Sequence, residues 1–235
     1  MIKIYNHSFH HHTDVGIHNI SCEFELGKAY ALVGPNGAGK TTLFQSLIGR
    51  HYTNGSIVVD GEEIRTNFLK HMSICDVINQ GTATVVAPLY FTVLRYIKAF
   101  KKLNPDFDAK YAAKYIDLYE IDLFTKFIEL SKGKQLLLIL VCNMARNVNY
   151  YLLDEPFSSI DQIYRDDILR MIIDKISDGK TVIVSSHDLH TINNSFDCYY
   201  FLKEGRLVRQ TNIDEMINDE IFQIYKNLYS EGELL

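Results

Sequence analysis

"GPNGAGKT", residues 34–41, fills every fixed position of the pattern G-x-x-x-x-G-K-[ST]. Each of those positions answers a chemical need. Glycines let successive backbone N–H groups turn inward as a nest for an anion, and the helix that follows adds the positive end of its dipole. A lysine after the last glycine puts a point charge beside the β- and γ-phosphates, and the next hydroxyl can ligate a metal ion. A plain glycine turn after a strand would explain the glycines but not Lys40 and Thr41 in their places. The stretch predicts a nucleotide cradle made of Gly34, Pro35, Asn36, Gly37, Ala38, Gly39, Lys40, Thr41 and Thr42.

The flanks suit such a cradle. Ala29–Val33 reads as a buried strand that ends at the glycine turn, and Thr42–Ile48 reads as a helix with Gly49 as its stop. "SIVVDGEEI" (56–64) carries an Asp60-Gly61 turn between strand-like flanks, a hairpin signal. From about Pro88 to Asn149 the spacing of aromatics and lysines turns helical, with "NPDFD" (104–108) as a break and an acidic cap for the next helix. Strand-like runs return at Tyr150–Leu153, Thr181–Ser185 and Cys198–Leu202, and Ile213–Tyr229 reads as a terminal amphipathic helix. This alternation predicts an α/β fold with a mainly parallel sheet, interrupted by a helical insert.

"YYLLDEP" (150–156) sets Asp154 and Glu155 directly after an apolar strand, at the sheet edge where the cradle also lies. Asp154 is placed to hold Mg2+ together with Thr41. A second carboxylate beside it, Glu155, can polarise an attacking water as a general base.

Bulk properties set the frame. The chain has 235 residues, an apolar fraction of 47% and a net charge of −5, which suits a globular domain and gives no basic excess for nucleic acid. Its four cysteines form no CxxC pair, so neither a zinc site nor a disulfide framework is suggested, and a reducing cytosol fits best. The longest apolar run, Leu136–Cys142, is far shorter than the roughly 20 residues a bilayer span needs. His10, His11 and His12 lack further ligands nearby for a metal site. No Asn-Lys-x-Asp tetrapeptide is present to read guanine.

Taken in order, these motifs resemble the ATP-binding subunit of an ABC (ATP-binding-cassette) transporter, and the resemblance covers essentially the whole chain. It implies a P-loop NTPase core over residues 1–85 and 150–215 with a small antiparallel β subdomain. A helical subdomain is expected over 86–149 and a C-terminal helix over 213–235, all within one domain, 1–235. "SSID" (158–161) is similar to the family's D-loop, with Asp161 in the acidic position, and His187, after "TVIVSS", matches the switch histidine. The Q-loop glutamine, a ligand of the metal, falls at Gln80, with Asn79 allowed by the spacing, and "FTVLRYI" (91–97) resembles the helix start beyond it. The aromatic that stacks on adenine aligns with His11, where Phe9 or His12 could substitute.

"IELSKGKQLLLIL" (128–140) then reads as the family's signature loop with two positions changed. The usual Leu-Ser-Gly-Gly-Gln is here Leu130-Ser131-Lys132-Gly133-Lys134. Ser131 and Gly133 keep the hydroxyl and the unhindered N–H that the resemblance directs at the γ-phosphate of a second chain, while Lys132 and Lys134 add charge. The resemblance thus implies ATP and Mg2+ as ligands and hydrolysis involving Lys40, Glu155 and His187. It also implies a second ATPase chain, identical or a paralogue, and a separate integral membrane permease. That places the chain in the cytoplasm, against the inner face of the cell membrane. The short chain, "NPDFD" and "LSKG" look like the bacterial exporter branch for peptides and antimicrobials, as in exporters of staphylococcal phenol-soluble modulins.

Overall fold

In a computed structural model of the chain, residues 1–10, 16–51, 54–64, 75–79, 90–157, 164–189, 196–215 and 220–229 are described, with backbone alone at 75–79, 215 and 220. Ile2–His10 (β1) and Gly16–Phe24 (β2) pair antiparallel, and Ala29–Val33 (β3) starts a separate sheet. Lys40–Leu47 (α1) follows the glycine turn. Asn54–Val59 (β4) and Glu62–Glu63 (β5) then extend the first sheet to the order β2-β1-β4-β5. Their hairpin turns on Asp60 and Gly61, both at positive φ, as the Asp-Gly pair predicts.

Cys75–Asn79 (β6) precedes the helical insert, Val93–Leu103 (α2), Ala109–Leu118 (α3) and Lys132–Met144 (α4), with a 3-10 turn at Phe127–Glu129. Tyr150–Asp154 (β7), Arg165–Ser177 (α5), Thr181–Ser186 (β8), Cys198–Lys203 (β9) and Arg206–Asn212 (β10) complete the second sheet. Its order is β10-β9-β3-β8-β7-β6, parallel throughout except for the β9–β10 hairpin. The last segment differs from the sequence reading. Where one helix was expected over Ile213–Tyr229, a 3-10 turn spans Ile213–Glu215 and the helix spans Glu220–Tyr229 (α6).

Both faces of the six-stranded sheet are covered, which is why its central strands read as continuous apolar runs. Ala29, Ala31 and Val33 of β3 enter one core, and Tyr30 and Leu32 enter the other. The alternation repeats with Tyr151 and Leu153 against Tyr150 and Leu152 in β7, and with Val182 and Val184 against Ile183 in β8. One core lies under the helices; the other lies between the sheet, α1 and the antiparallel strands. Each fully buried side chain of this size contributes about 1.5–3 kcal/mol by leaving water.

Local signals start the helices. Thr92 caps α2 by accepting from Arg95 N, and Asp108 caps α3 by accepting from Lys110 N at 2.8 Å and Tyr111 N at 3.1 Å. Helix α3 is fastened to α5 by Tyr115, whose hydroxyl donates to Asp174 Oδ2 at 3.1 Å. Beside it Lys175 Nζ lies 4.2 Å from the centre of the Tyr111 ring and 5.4 Å from that of Tyr151. Burial lowers the pKa of this ammonium, and the ring faces replace part of the water it lost.

Strand β3 leaves the sheet at Gly34, where a Cβ would stand 2.4 Å from the Leu202 carbonyl oxygen of β9. Two outcomes are expected from thermal melts. Asp108→Ala removes both cap bonds and costs about 1 kcal/mol, a fall in Tm of roughly 2–4 °C for a domain of this size. Gly34→Ala forces two backbones apart and costs about 1–3 kcal/mol.

Candidate active site

The phosphate loop is held in shape before any ligand is considered. Ala38 N donates to Pro35 O at 3.2 Å, closing the turn, and Gly205 N donates to Ala38 O at 3.0 Å. Gly39 stands at the N-cap of α1 with φ 102°, and a Cβ there would meet Ile17 Cγ2 at 2.9 Å. Asn36 and Gly37 are exposed at the tip, and Thr42 sits one turn into α1, its carbonyl accepting from Ser46 Oγ at 3.0 Å.

Lys40 is only 5% exposed, so its charge needs partners. Its Nζ donates to Gly34 O at 2.6 Å and to Pro35 O at 3.2 Å, and stands 3.3 Å from Glu155 Oε1. The other oxygen of that carboxylate, Oε2, is 2.9 Å from His187 Nδ1. Three side chains from three separate segments are thus brought into one line of contacts. The backbone at Glu155 is left-handed, with φ 50°, a conformation that costs a side-chain-bearing residue energy and turns this carboxylate out of the strand direction.

Asp154 lies beside them, 3% exposed at the end of β7. Its Oδ2 accepts from Thr41 Oγ1 at 2.7 Å and its Oδ1 from Ser185 Oγ at 2.5 Å. Burial raises its pKa, the two hydroxyls pull it back, the Glu155 charge raises it further and Lys40 opposes that. A hydroxyl and a carboxylate oxygen side by side are hard oxygen donors of the kind Mg2+ takes, so these residues fit that ion.

Ser185 is a residue the sequence reading missed. It faces Asp154 in the β7–β8 register, and its Oγ both donates to Asp154 and accepts from Glu155 N at 2.9 Å. The available signal was a pair of serines closing an otherwise apolar strand, "TVIVSS". Next to it, Ser186 Oγ ties the turn by accepting from Asp188 N at 3.0 Å.

Ser131 and Gly133 are elsewhere, at the start of α4. Ser131 is the N-cap, accepting from Lys134 N at 3.2 Å, and its carbonyl accepts from Gln135 N at 2.9 Å. Neither bond reaches the phosphate loop. The two lysines of the loop also part company. Lys134 Nζ donates to Glu120 O at 2.9 Å, placing its charge just past the carbonyl end of α3, where a cation is favoured. Lys132 is exposed. The next side chain, Gln135, donates to the carbonyls of Phe127 and Leu130, at 3.0 and 3.1 Å, and so fixes the turn that leads into Ser131.

His11, Gln80 and Asp161 lie outside the described residues, as does His12. Asn79 is described in its backbone, where it ends β6 opposite Asp154 in register. Phe9, the other candidate for the base, lies stacked on His51 with ring centroids 4.1 Å apart.

A profile of the ABC transporter family matches residues 17–158. The ABC transporter ATP-binding protein YtrB of Bacillus subtilis (strain 168) is 32% identical over 209 residues, covering 86% of this chain and 69% of YtrB. The lantibiotic transport ATP-binding protein SrtF of Streptococcus pyogenes is 26% identical over 237 residues, covering 94% of this chain and 97% of SrtF. Among solved structures, the dimeric post-hydrolysis state of the ATP-binding cassette MJ0796 bound to ADP and Pi superposes with a TM-score of 0.77 at 19% identity, covering 91% of this chain and 99% of that one. The chain therefore belongs to the ABC transporter family and is an ATP-binding, ATP-hydrolysing subunit of that class.

Proposed function

We propose that this chain drives transport as one of two cassettes arranged head to tail, each phosphate cradle facing the Ser131 helix start of the other chain. The observation that supports this most directly is the line of contacts Lys40–Glu155–His187 with Thr41–Asp154 beside it. The loop amides and Lys40 bind and neutralise the triphosphate. Thr41 and Asp154, with Gln80, hold Mg2+, which when bound draws electron density from the phosphate oxygens. Hydrogen bonding from His187 Nδ1 to Glu155 Oε2 orients the carboxylate, and Oε1, which stands 3.3 Å from Lys40 Nζ, takes the proton of the attacking water once Lys40 has turned to the phosphates. His11 provides the stacking face for adenine, and Asp161 belongs to the contact between the cassettes.

Gly133 favours a second chain. It is the second residue of a 13-residue helix, where glycine is less favourable than alanine by up to about 1 kcal/mol, and a Cβ there would meet nothing within 4 Å among the described residues. Among the described residues of its own chain nothing requires the missing side chain. A neighbour bringing a nucleotide against the start of α4 would need that space.

No helix among the described residues is long and apolar enough to cross a membrane. The passage for the cargo is assigned to a separate integral membrane permease, with this chain against its cytoplasmic face. The finer reading is export of a peptide or antimicrobial, supported by the "LSKG" loop, by "NPDFD" and by the likeness to SrtF. Vesicles holding the chain and its permease, loaded with a candidate amphipathic peptide, test the direction; peptide moving only toward the ATP side would refute export.

Two outcomes test the mechanism. Glu155→Gln should lower phosphate release at least about 100-fold, the scale of a lost general base, while ATP holds the chain as a dimer on size-exclusion chromatography. A monomer in ATP would count against the head-to-tail pair. Gly133→Ala should raise Tm by a few degrees, because alanine suits the helix by up to about 1 kcal/mol, yet lower ATP hydrolysis. An unchanged rate would remove the argument for a neighbour at that position.

A further inference from the structure

Helix α6 carries no motif, yet its side chains reach the edge of the candidate site. Tyr225 and Tyr229 are four residues apart and so share a helix face, with ring centroids 4.5 Å apart. Ile221 and Ile224 are buried in the core that also contains Val33 and Phe201, which seats that face on the sheet. Lys203 Nζ donates to Leu228 O at 2.8 Å and fastens the helix end to β9.

From this seat the two hydroxyls reach backbone carbonyls on either side of the phosphate loop. Tyr225 Oη donates to the carbonyl of His187 at 3.2 Å. Tyr229 Oη lies 2.8 Å from Leu202 O and 3.3 Å from Val33 O, so its proton is shared between them. Val33 is the last residue before Gly34, and Leu202 O is the atom that excludes a side chain at Gly34. His187 lies one residue beyond β8, where strand pairing ends, and among the described residues the Tyr225 hydroxyl is the group that holds its carbonyl. The two anchor points are themselves connected, because Gly34 N donates to Ser186 O at 3.3 Å. Burial, with the charges of Asp188 and Glu155, raises the pKa of the Tyr225 phenol and keeps its proton available to donate.

We infer that Tyr225 is a positioning residue for hydrolysis, acting through His187, and that Tyr229 is a positioning residue for nucleotide binding, acting through the strand end that launches the phosphate loop. Helix α6 then sets two parameters of one reaction through two hydroxyls. The Tyr225 half rests on the role proposed above for His187.

Steady-state phosphate release by the full chain tests this with Tyr225→Phe, Tyr229→Phe and His187→Ala. Each Tyr→Phe change deletes one hydroxyl and keeps the ring, so Tm should fall by no more than the roughly 2–4 °C that one hydrogen bond of about 1 kcal/mol is worth in a domain of this size. The worth of one hydrogen bond predicts that Tyr225→Phe lowers kcat about three- to tenfold with KM for ATP within twofold. Tyr229→Phe should raise KM by about threefold or more with kcat within twofold. Wild-type kcat in Tyr225→Phe, alongside an inactive His187→Ala, would overturn the inference and leave the proposed function standing. Wild-type kcat in His187→Ala would instead overturn the role given to His187. Losses spread equally over kcat and KM in both tyrosine variants, or tracking a fall in Tm larger than one hydrogen bond accounts for, would reduce α6 to a structural support and also overturn it.

Discussion

The buried carboxylate of Asp154 sets the terms for its surroundings. An ionised carboxylate only accepts hydrogen bonds, so once it is taken out of water it must be met by donors. Strand register supplies one, because Asp154 and Ser185 are partners in parallel strands, and α1 supplies the other through Thr41. The first contact fixes the strand pair and the second fixes how α1 docks on the sheet. Ser185 then passes the constraint on by accepting from Glu155 N, which holds the turn that aims Glu155 toward Lys40 and His187. Burial still raises the pKa of Asp154 against these bonds, so its charged form is favoured further by a cation.

That edge is steady because the strands behind it are covered on both faces. Side chains alternate between two cores, and a shift of one residue in register would exchange every partner. The helical insert is attached less evenly. Tyr115 with Asp174, and Lys175 against the rings of Tyr111 and Tyr151, tie α3 to α5 and β7. The start of α4 is tied within the insert itself, through Lys134 to Glu120 and through Gln135 to Phe127 and Leu130. The described bonds therefore tie the start of α4, with Ser131, to the insert and not to the phosphate loop.

The parts that were legible in the sequence were those with one local cause. The glycine turn, the Asp60-Gly61 hairpin, the Asp108 cap and the apolar runs of β3, β7, β8 and β9 each follow from a few adjacent residues. Strands β1 and β2 did not show themselves. Asn6 and Asn19 adopt positive φ, and the pairing of the two strands slips between Ile4 and His7 and again between His7 and Phe9, which breaks the alternation a strand would display. Ser185 and Gln135 were hidden for another reason. The partners of Ser185 are groups that only the strand register brings near, and those of Gln135 are carbonyls of the turn just before it, which any sequence would supply and no residue type marks. The terminal helix was placed too early because the apolar spacing continues through the 3-10 turn at Ile213–Glu215.

The left-handed backbone at Glu155 has a consequence for how such a chain can change over generations. A residue with a side chain is disfavoured there by about 1 kcal/mol, and glycine would be at ease. The carboxylate is thus kept against the preference of its own peptide unit. A descendant that exchanged it for glycine would ease that backbone but remove the carboxylate that faces His187 and the buried Lys40. The Lys40 ammonium would keep the Gly34 and Pro35 carbonyls as acceptors, so the local gain is set against a weaker hold on a buried cation.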